Sequence, residues 1–227
     1  MIFDIITLFP SIINSYCSSS ITLRGIDKGI IKVNAHNLRD YSTDKHKKVD
    51  DTPYGGGGGM VLSCQPVFDC FESIKKEDDY EFIMLSPQGE RYNQKTAVEL
   101  SKKKQLILLC GHYEGFDERI RIGLSPREIS IGDYVLTGGE LGALVILDSV
   151  SRNIEGFLGF DKCAHCDSFS LGLNGLLEYP QYTKPREFRG LSVPQVLLSG
   201  NHKEIEQYRE QESIKRTKKR RPDLLYD

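Results

Sequence analysis

The chain has 227 residues, a formal net charge of -2 and an isoelectric point near 6.2, so its overall charge gives no general attraction to nucleic acid. No apolar run approaches the roughly 20 residues that a membrane-spanning helix needs, and the amino-terminal MIFDIITLFP lacks the basic start of a signal peptide. Six cysteines are too sparse for a disulfide scaffold; we therefore expect free thiols, a cytoplasmic protein and no membrane contact.

Strands and helices are predicted to alternate over the first 150 or so residues. Strands are expected at 2–8, 30–35, 81–85, 106–110 and 128–131, and helices from Pro10, at 66–76 and 94–103, from Phe116 and at 140–152. Such alternation is typical of a parallel α/β sheet. Periodicity is lost after Asn153 and returns in a predicted helix at 202–216. We therefore predict an α/β domain at 1–160, a flexible linker at 161–172 and a small, mainly helical domain at 173–227.

Three of the predicted strands run directly into turns rich in glycine or proline. Their sequences are EFIMLSPQG, LILLCGHYEG and SIGDYVLTGGEL, which begin at Glu81, Leu106 and Ser130. In a parallel α/β sheet, ligands bind outside the carboxyl ends of the strands. The three turns are therefore predicted to form one ligand pocket, lined largely by backbone groups, although any one of them alone could be no more than a tight turn.

Three other motifs leave alternatives open. Gly55–Gly59 lacks the lysine of a phosphate-binding loop, which favours a flexible loop that closes over a ligand or crosses another chain. Cys163 and Cys166 have the spacing of half a zinc site, but without a second pair they are interpreted as incidental thiols. The run KRTKKRR at Lys215–Arg221 is either a solvated tail or an anion-binding surface.

Taken in order, the motifs resemble one family along almost the whole chain. They are DDTPYGGGGGM, LSPQGE, CGHYEGFDER, SIGDYVLTGGEL, DSVSR, DSF, YPQYTKP, VPQVLLSGNH and RTKKRRPDLL. This series resembles the bacterial tRNA (guanine-N1)-methyltransferases. The resemblance implies a SPOUT-type, trefoil-knotted parallel sheet domain that binds S-adenosylmethionine. It also implies a homodimer that methylates N1 of the guanosine immediately 3′ of the anticodon (guanosine 37) in tRNA, with the linker of one subunit completing the pocket of the other.

The resemblance also assigns roles to residues of this chain. The cofactor pocket would comprise residues of the three turns: Leu85, Ser86, Pro87, Gly111, Tyr113, Gly115, Ile131, Gly132, Asp133, Tyr134, Val135, Leu136, Gly138 and Gly139. Asp167 would be the general base and Arg152 its helper, although alone they could be a helix cap and a charge at a helix end. Glu114 could position Mg²⁺ or the guanine. His112 and Gly58 replace an arginine and a proline of other members.

The chemistry agrees with these roles. Neutral guanine carries a proton on N1, so a base must remove it before N1 can attack a methyl group, and Arg152 could stabilise the negative charge that develops on O6. The cations of the KRTKKRR run would hold phosphates of the anticodon stem-loop. Two alternatives are a noncatalytic RNA-binding relative and a phosphoryl-transfer enzyme; the missing phosphate-loop lysine argues against the latter.

Overall fold

A computed structural model of the protein describes residues 1–159 and 167–225. The chain forms two compact units, the first at Met1–Gly159 and the second in the carboxyl-terminal residues. Cys163, Cys166 and most of the predicted linker lie outside the described residues. Among the helices of the described ranges, none is both long enough and apolar enough to cross a membrane.

A five-stranded sheet forms the centre of the first unit, and its order is β2-β1-β6-β5-β7. All neighbouring strands in it run parallel, which confirms the predicted parallel α/β architecture. The strands of this sheet are β1 at Ile2–Thr7, β2 at Lys32–Asn37, β5 at Tyr80–Arg91, β6 at Gln105–Leu109 and β7 at Arg127–Ser130. A separate antiparallel pair consists of β3 at Asp50–Asp51 and β4 at Val61–Leu62.

Helices cover both faces of the sheet: α1 at Pro10–Cys17, α2 at Ser20–Asp27, α3 at Cys64–Ser73, α4 at Gln94–Leu100, α5 at Glu118–Leu124 and α6 at Glu140–Ser151. Strand β6 explains this arrangement. Leu106 and Leu108 lie in one buried cluster, whereas Ile107 and Leu109 lie in another. Successive side chains of a strand point to opposite faces, so a continuously apolar strand needs cover on both sides.

Strand β5 is longer than the predicted 81–85, because the chain returns to the sheet after its turn. Leu85 and Glu90 are both paired with Ile129 of β7, so residues 86–89 form an outward detour within the strand. Gly89 makes the return possible. A Cβ atom there would lie 2.4 Å from the backbone of Glu128, closer than any side chain allows.

Other boundaries also differ from prediction. Helix α2 was not predicted, since Gly25 lowers its helix propensity; a Cβ on Gly25 would meet the Phe157 ring at 2.5 Å, so the glycine is required by packing. Helices α3 and α4 end three residues before their predicted ends, at Ser73 and Leu100. The glycine-rich segment is flanked by β3 and β4. These strands are too short to show the alternation of apolar and polar residues by which a strand is predicted.

The second unit contains one long helix and several short elements. Helix α7 spans His202–Arg220, and its amino end is capped by the Asn201 side chain, which accepts a hydrogen bond from the Glu204 amide. Strands β8 at Glu187–Phe188 and β9 at Leu191–Ser192 form an antiparallel hairpin. Short 3-10 helices occupy Leu38–Tyr41 in the first unit, and Leu171–Leu173, Gln195–Leu198 and Pro222–Leu225 in the second.

A buried carboxylate fastens the edge of the sheet. Asp4 is 3% exposed, and it accepts hydrogen bonds from Asn34 at 3.0 Å and Gln105 at 2.7 Å. The His36 Nε2 atom lies 2.7 Å from the same carboxylate. Burial alone would raise the pKa of Asp4, but the hydrogen bonds from these three side chains outweigh it and lower the pKa below 3.8. The ionised form is thereby favoured in the folded protein.

We expect Asp4→Asn to lower the free energy of unfolding by about 2 kcal/mol at pH 7, because the amide leaves buried partners unsatisfied. Since the folded-state pKa is lowered, this stabilisation is present above the ordinary carboxyl pKa and is lost as the pH falls through the lowered value. Urea unfolding at pH 7, 5 and 3 should show the difference from wild type narrowing only at pH 3. Asp78→Asn is the control, since that carboxylate and Lys104 form an exposed pair. A difference that does not depend on pH would contradict the assignment.

Candidate functional site

The outward detour of β5 and the carboxyl ends of β6 and β7 meet around one cavity of about 490 Å³. This volume lies within the range of small-molecule sites. The detour of β5 and the turns after β6 and β7, which are the three turns predicted from the sequence, supply most of its wall. The lining residues are Leu85–Gln88, Gly111–Phe116, Glu118, Arg121, Ile129–Gly132, Tyr134–Gly139 and Gly142.

The turn after β6 is held against the end of the glycine-rich segment. The Glu114 amide donates to the Met60 carbonyl at 3.0 Å, and the Leu62 amide donates to the Gly115 carbonyl at 2.9 Å. A Cβ on Gly59 would lie 2.5 Å from the Glu114 side chain, so these two segments are in direct contact. Tyr113 and Gly115 have positive φ angles, of 60° and 122°. The turn thus presents its backbone to the cavity in a fixed conformation.

The turn after β7 crosses close to the turn after β6. The Gly139 amide donates to the Gly111 carbonyl at 2.8 Å, and a Cβ on Gly139 would lie 2.7 Å from the Cys110 Cα atom. The same turn is braced internally, because the Tyr134 hydroxyl donates to the Ile131 carbonyl at 3.1 Å. Glycine at position 139 is therefore required by the approach of two backbones.

A buried carboxylate joins three segments at the floor of the cavity. Glu140 is 3% exposed; it accepts a hydrogen bond from the Thr7 hydroxyl at 2.5 Å and lies 2.7 Å from the His112 Nε2 atom. Thr7 ends β1, His112 follows β6 and Glu140 begins α6. A Cβ on Gly138 would lie 2.3 Å from the His112 ring and 2.6 Å from a Glu140 oxygen. Glycine is therefore needed at position 138 because His112 and Glu140 leave no room there for a side chain.

Almost all residues predicted to bind the cofactor line this cavity. The exception is Asp133, whose side chain is 86% exposed and lies 3.7 Å from Arg91 in an ion pair outside the cavity wall. Sequence reasoning missed several wall residues: Gln88, His112, Phe116, Glu118, Arg121, Ile129, Ser130, Thr137 and Gly142. Most are adjacent to predicted positions, but Glu118 and Arg121 come from α5, and no local pattern marks them.

The two predicted catalytic residues belong to different units. Arg152 directly follows α6, and its amide donates to the Asp148 carbonyl at 3.1 Å. Asp167 is half-buried in the second unit, where its carbonyl accepts from the Ser170 amide at 3.1 Å. Both residues take part in further interactions in the folded chain.

Neither a nucleophilic thiol nor a metal cluster characterises the described site. Burial raises the pKa of the Cys110 thiol well above 9.0, and the charge of Glu140 raises it further, so this thiol stays protonated. Within residues 1–159 and 167–225, no three His, Cys, Asp or Glu side chains are grouped to hold a metal ion.

Comparison with known proteins identifies the family. A family model for the tRNA (guanine-1)-methyltransferase TrmD matches residues 1–227. The tRNA (guanine-N(1)-)-methyltransferase of Dehalococcoides mccartyi is 53% identical, over 98% of this chain and 89% of the relative. Those of Halalkalibacterium halodurans and Clostridioides difficile are 55% and 54% identical, over 98% and 99% of this chain and 90% and 97% of the relatives. The chain therefore belongs to the tRNA (guanine-1)-methyltransferase family.

Proposed function

We propose that this protein transfers a methyl group from S-adenosylmethionine to N1 of the guanosine immediately 3′ of the anticodon in tRNA. The observation that carries the proposal is the cavity at the carboxyl ends of three parallel strands, in a chain that matches the methyltransferase family from end to end. Because its substrate would be tRNA, we also propose that it acts in the cytoplasm.

The cavity suits the proposed methyl donor. Leu85, Ile129 and Ile131 give it an apolar wall against which an adenine ring can pack. The glycines of the turns after β6 and β7 leave backbone donors and acceptors accessible to the ribose and amino-acid parts of the ligand. When bound, S-adenosylmethionine supplies an electrophilic methyl group on a positively charged sulfur.

The transfer requires a base and a stabilised transition state from the protein. We propose that Asp167 accepts the N1 proton of guanine and that Arg152 stabilises the negative charge that develops on O6. A carboxylate is a weak base for this proton. The proton would therefore move as the new bond forms, so that the two residues act mainly in the transition state.

A trefoil knot of the SPOUT type is part of the proposal. Its support is the crossing of the turns after β6 and β7, where the Gly139 amide bonds to the Gly111 carbonyl and the two backbones touch. Such a crossing brings two backbone segments into one wall of the cavity, which a ligand can then contact from one side.

Basic groups of α7 support the proposed tRNA contact. Lys215, Lys218 and Lys219 line an open groove in the second unit, together with Gln211 and Ile214. Several closely spaced cations can neutralise adjacent phosphates with release of counterions. The net charge of the whole chain is only -2, so this local cluster and not the global charge would attract the RNA.

An exposed apolar face of the first unit supports a homodimer. Helices α1 and α6 contact each other, and both expose large apolar side chains beside that contact. Phe9, Ile12 and Tyr16 are 42%, 42% and 37% exposed, and Leu141 and Val145 are 57% and 44% exposed. A second copy of the chain could cover this face by a twofold contact. We propose that Asp167 of one subunit then serves the cavity of the other.

The proposed function is tested by incubating the protein with an unmodified tRNA transcript and methyl-labelled S-adenosylmethionine. We expect label in N1-methylguanosine after digestion to nucleosides. We further expect Asp167→Asn to lower the turnover number by about 10² to 10⁴, the usual effect of losing a positioned base. Calorimetry should find the donor affinity unchanged. If tRNA binds but wild-type protein transfers no label, the protein is a noncatalytic RNA-binding relative.

We expect Gly138→Ala to raise the dissociation constant of S-adenosylmethionine about tenfold, or about 1.4 kcal/mol. The added methyl group must displace His112 or Glu140, and both positions support the cavity floor. Gly58→Ala is the control, because a Cβ there meets nothing within 4 Å. Calorimetry with both folded variants decides the matter: equal affinities would mean that the His112–Glu140 pair does not shape the donor site.

Subunit mixing tests the composite site. Asp167→Ala and Gly138→Val proteins, each inactive alone, are mixed and allowed to exchange. One of the two sites in a heterodimer would combine an intact cavity with an intact Asp167, so up to about half of the activity per heterodimer should return, as twofold symmetry requires. Native mass spectrometry measures how much heterodimer forms. Heterodimers without activity would place the base and the cavity in the same subunit.

A further inference from the structure

The hairpin formed by β8 and β9 is exposed along its whole length. Every residue from 181 to 192 is exposed. The two strands join through Arg189 and Gly190, whose φ angles of 52° and 77° are those of a tight type I′ turn. Below the strands, the Val193 amide donates to the Arg186 carbonyl at 3.0 Å. The hairpin is therefore a defined structure and not a loose loop.

One face of the hairpin is apolar and lies beside an arginine. Phe188 and Leu191 are directly paired across the two strands, so their side chains lie side by side on one face. They are 59% and 75% exposed, which is costly for apolar groups that have no partner to cover them. The Arg189 guanidinium lies 5.2 Å from the centre of the Phe188 ring.

The charges near this face have one predominant sign. Residues 184–189 contain three cations, Lys184, Arg186 and Arg189, and one carboxylate, Glu187. Arg186 is held in place, because its guanidinium donates to the Gln195 side chain at 3.0 Å. An exposed aromatic ring beside several cations is the combination with which proteins bind single-stranded RNA. The ring stacks on a base, and the cations contact the neighbouring phosphates.

We propose that this hairpin binds an unpaired stretch of the tRNA, with one nucleobase stacked on Phe188 and the flanking phosphates on Lys184, Arg186 and Arg189. The inference rests on the proposed function, to which it adds a specific contact with the RNA. The charge of the surface favours RNA over an apolar protein partner, because phosphates complement the three cations. The contact is distinct from the cavity and from the basic residues of α7.

A single tryptophan can report the stacking directly, since the chain contains no tryptophan. We expect the fluorescence of Phe188→Trp to be strongly quenched as unmodified tRNA is added. Tyr80→Trp is the matched control. Tyr80 is 38% exposed and is the first residue of β5, so it lies at the amino ends of the strands and away from the cavity. Its fluorescence should hardly change. Equal signals from both variants, with tRNA bound according to anisotropy, would overturn the proposal.

Affinity measurements provide the second test. Phe188→Ala should raise the dissociation constant for tRNA about tenfold, whereas Phe188→Tyr should restore wild-type affinity because its ring can still stack. Affinity for S-adenosylmethionine should stay constant in both. If Phe188→Ala leaves tRNA affinity unchanged but alters the sedimentation of the protein, the hairpin is a contact between copies and the proposal fails. If wild-type protein binds tRNA with these effects yet transfers no methyl group, the proposed function fails and the hairpin contact stands.

Discussion

The buried Glu140 carboxylate is the constraint on which the cavity depends. A charge that is 3% exposed must be satisfied by nearby polar groups, and here Thr7 and His112 approach it from two other segments. Since Thr7 ends β1 and His112 follows the neighbouring strand β6, the pairing fixes the start of α6 against the carboxyl ends of these strands. The backbone of the turn that contains Gly138 and Gly139 is then closely confined by its neighbours, and this turn forms one wall of the cavity.

The same cluster connects the cavity to the apolar face of α1 and α6. The Phe9 ring packs edge-on against the His112 ring, with 5.0 Å between the centroids, and the Phe9 amide donates to the Thr7 hydroxyl at 2.9 Å. Phe9 is also one of the exposed residues of the proposed dimer contact. A partner subunit that covered Phe9 would therefore press on the residues that support the cavity floor.

The sequence predicts those parts of the fold and site that depend on local patterns. Continuous apolar runs such as Leu106–Leu109 predict buried strands, and glycines at their ends predict where the cavity lies. Contacts distant in sequence leave no such pattern: Thr7 and Glu140 are 133 residues apart, and Gly25 reveals its role only against Phe157. Asp133 was predicted to line the cavity with its neighbours, but its side chain points outward to Arg91 because consecutive residues of a turn need not share a face.

The character of the cavity wall bears on where RNA specificity must come from. Its glycines, proline and aliphatic side chains can fit a small cofactor through shape and backbone hydrogen bonds but distinguish poorly between RNA sequences; the same wall also contains Tyr113, Tyr134 and Arg121. Unpaired RNA is bound through exposed aromatic rings and through cations that contact phosphates. In the described chain, the β8–β9 hairpin and the groove of α7 display these groups. In the proposed function, the first unit would hold the methyl donor and the second unit would select and present the guanosine.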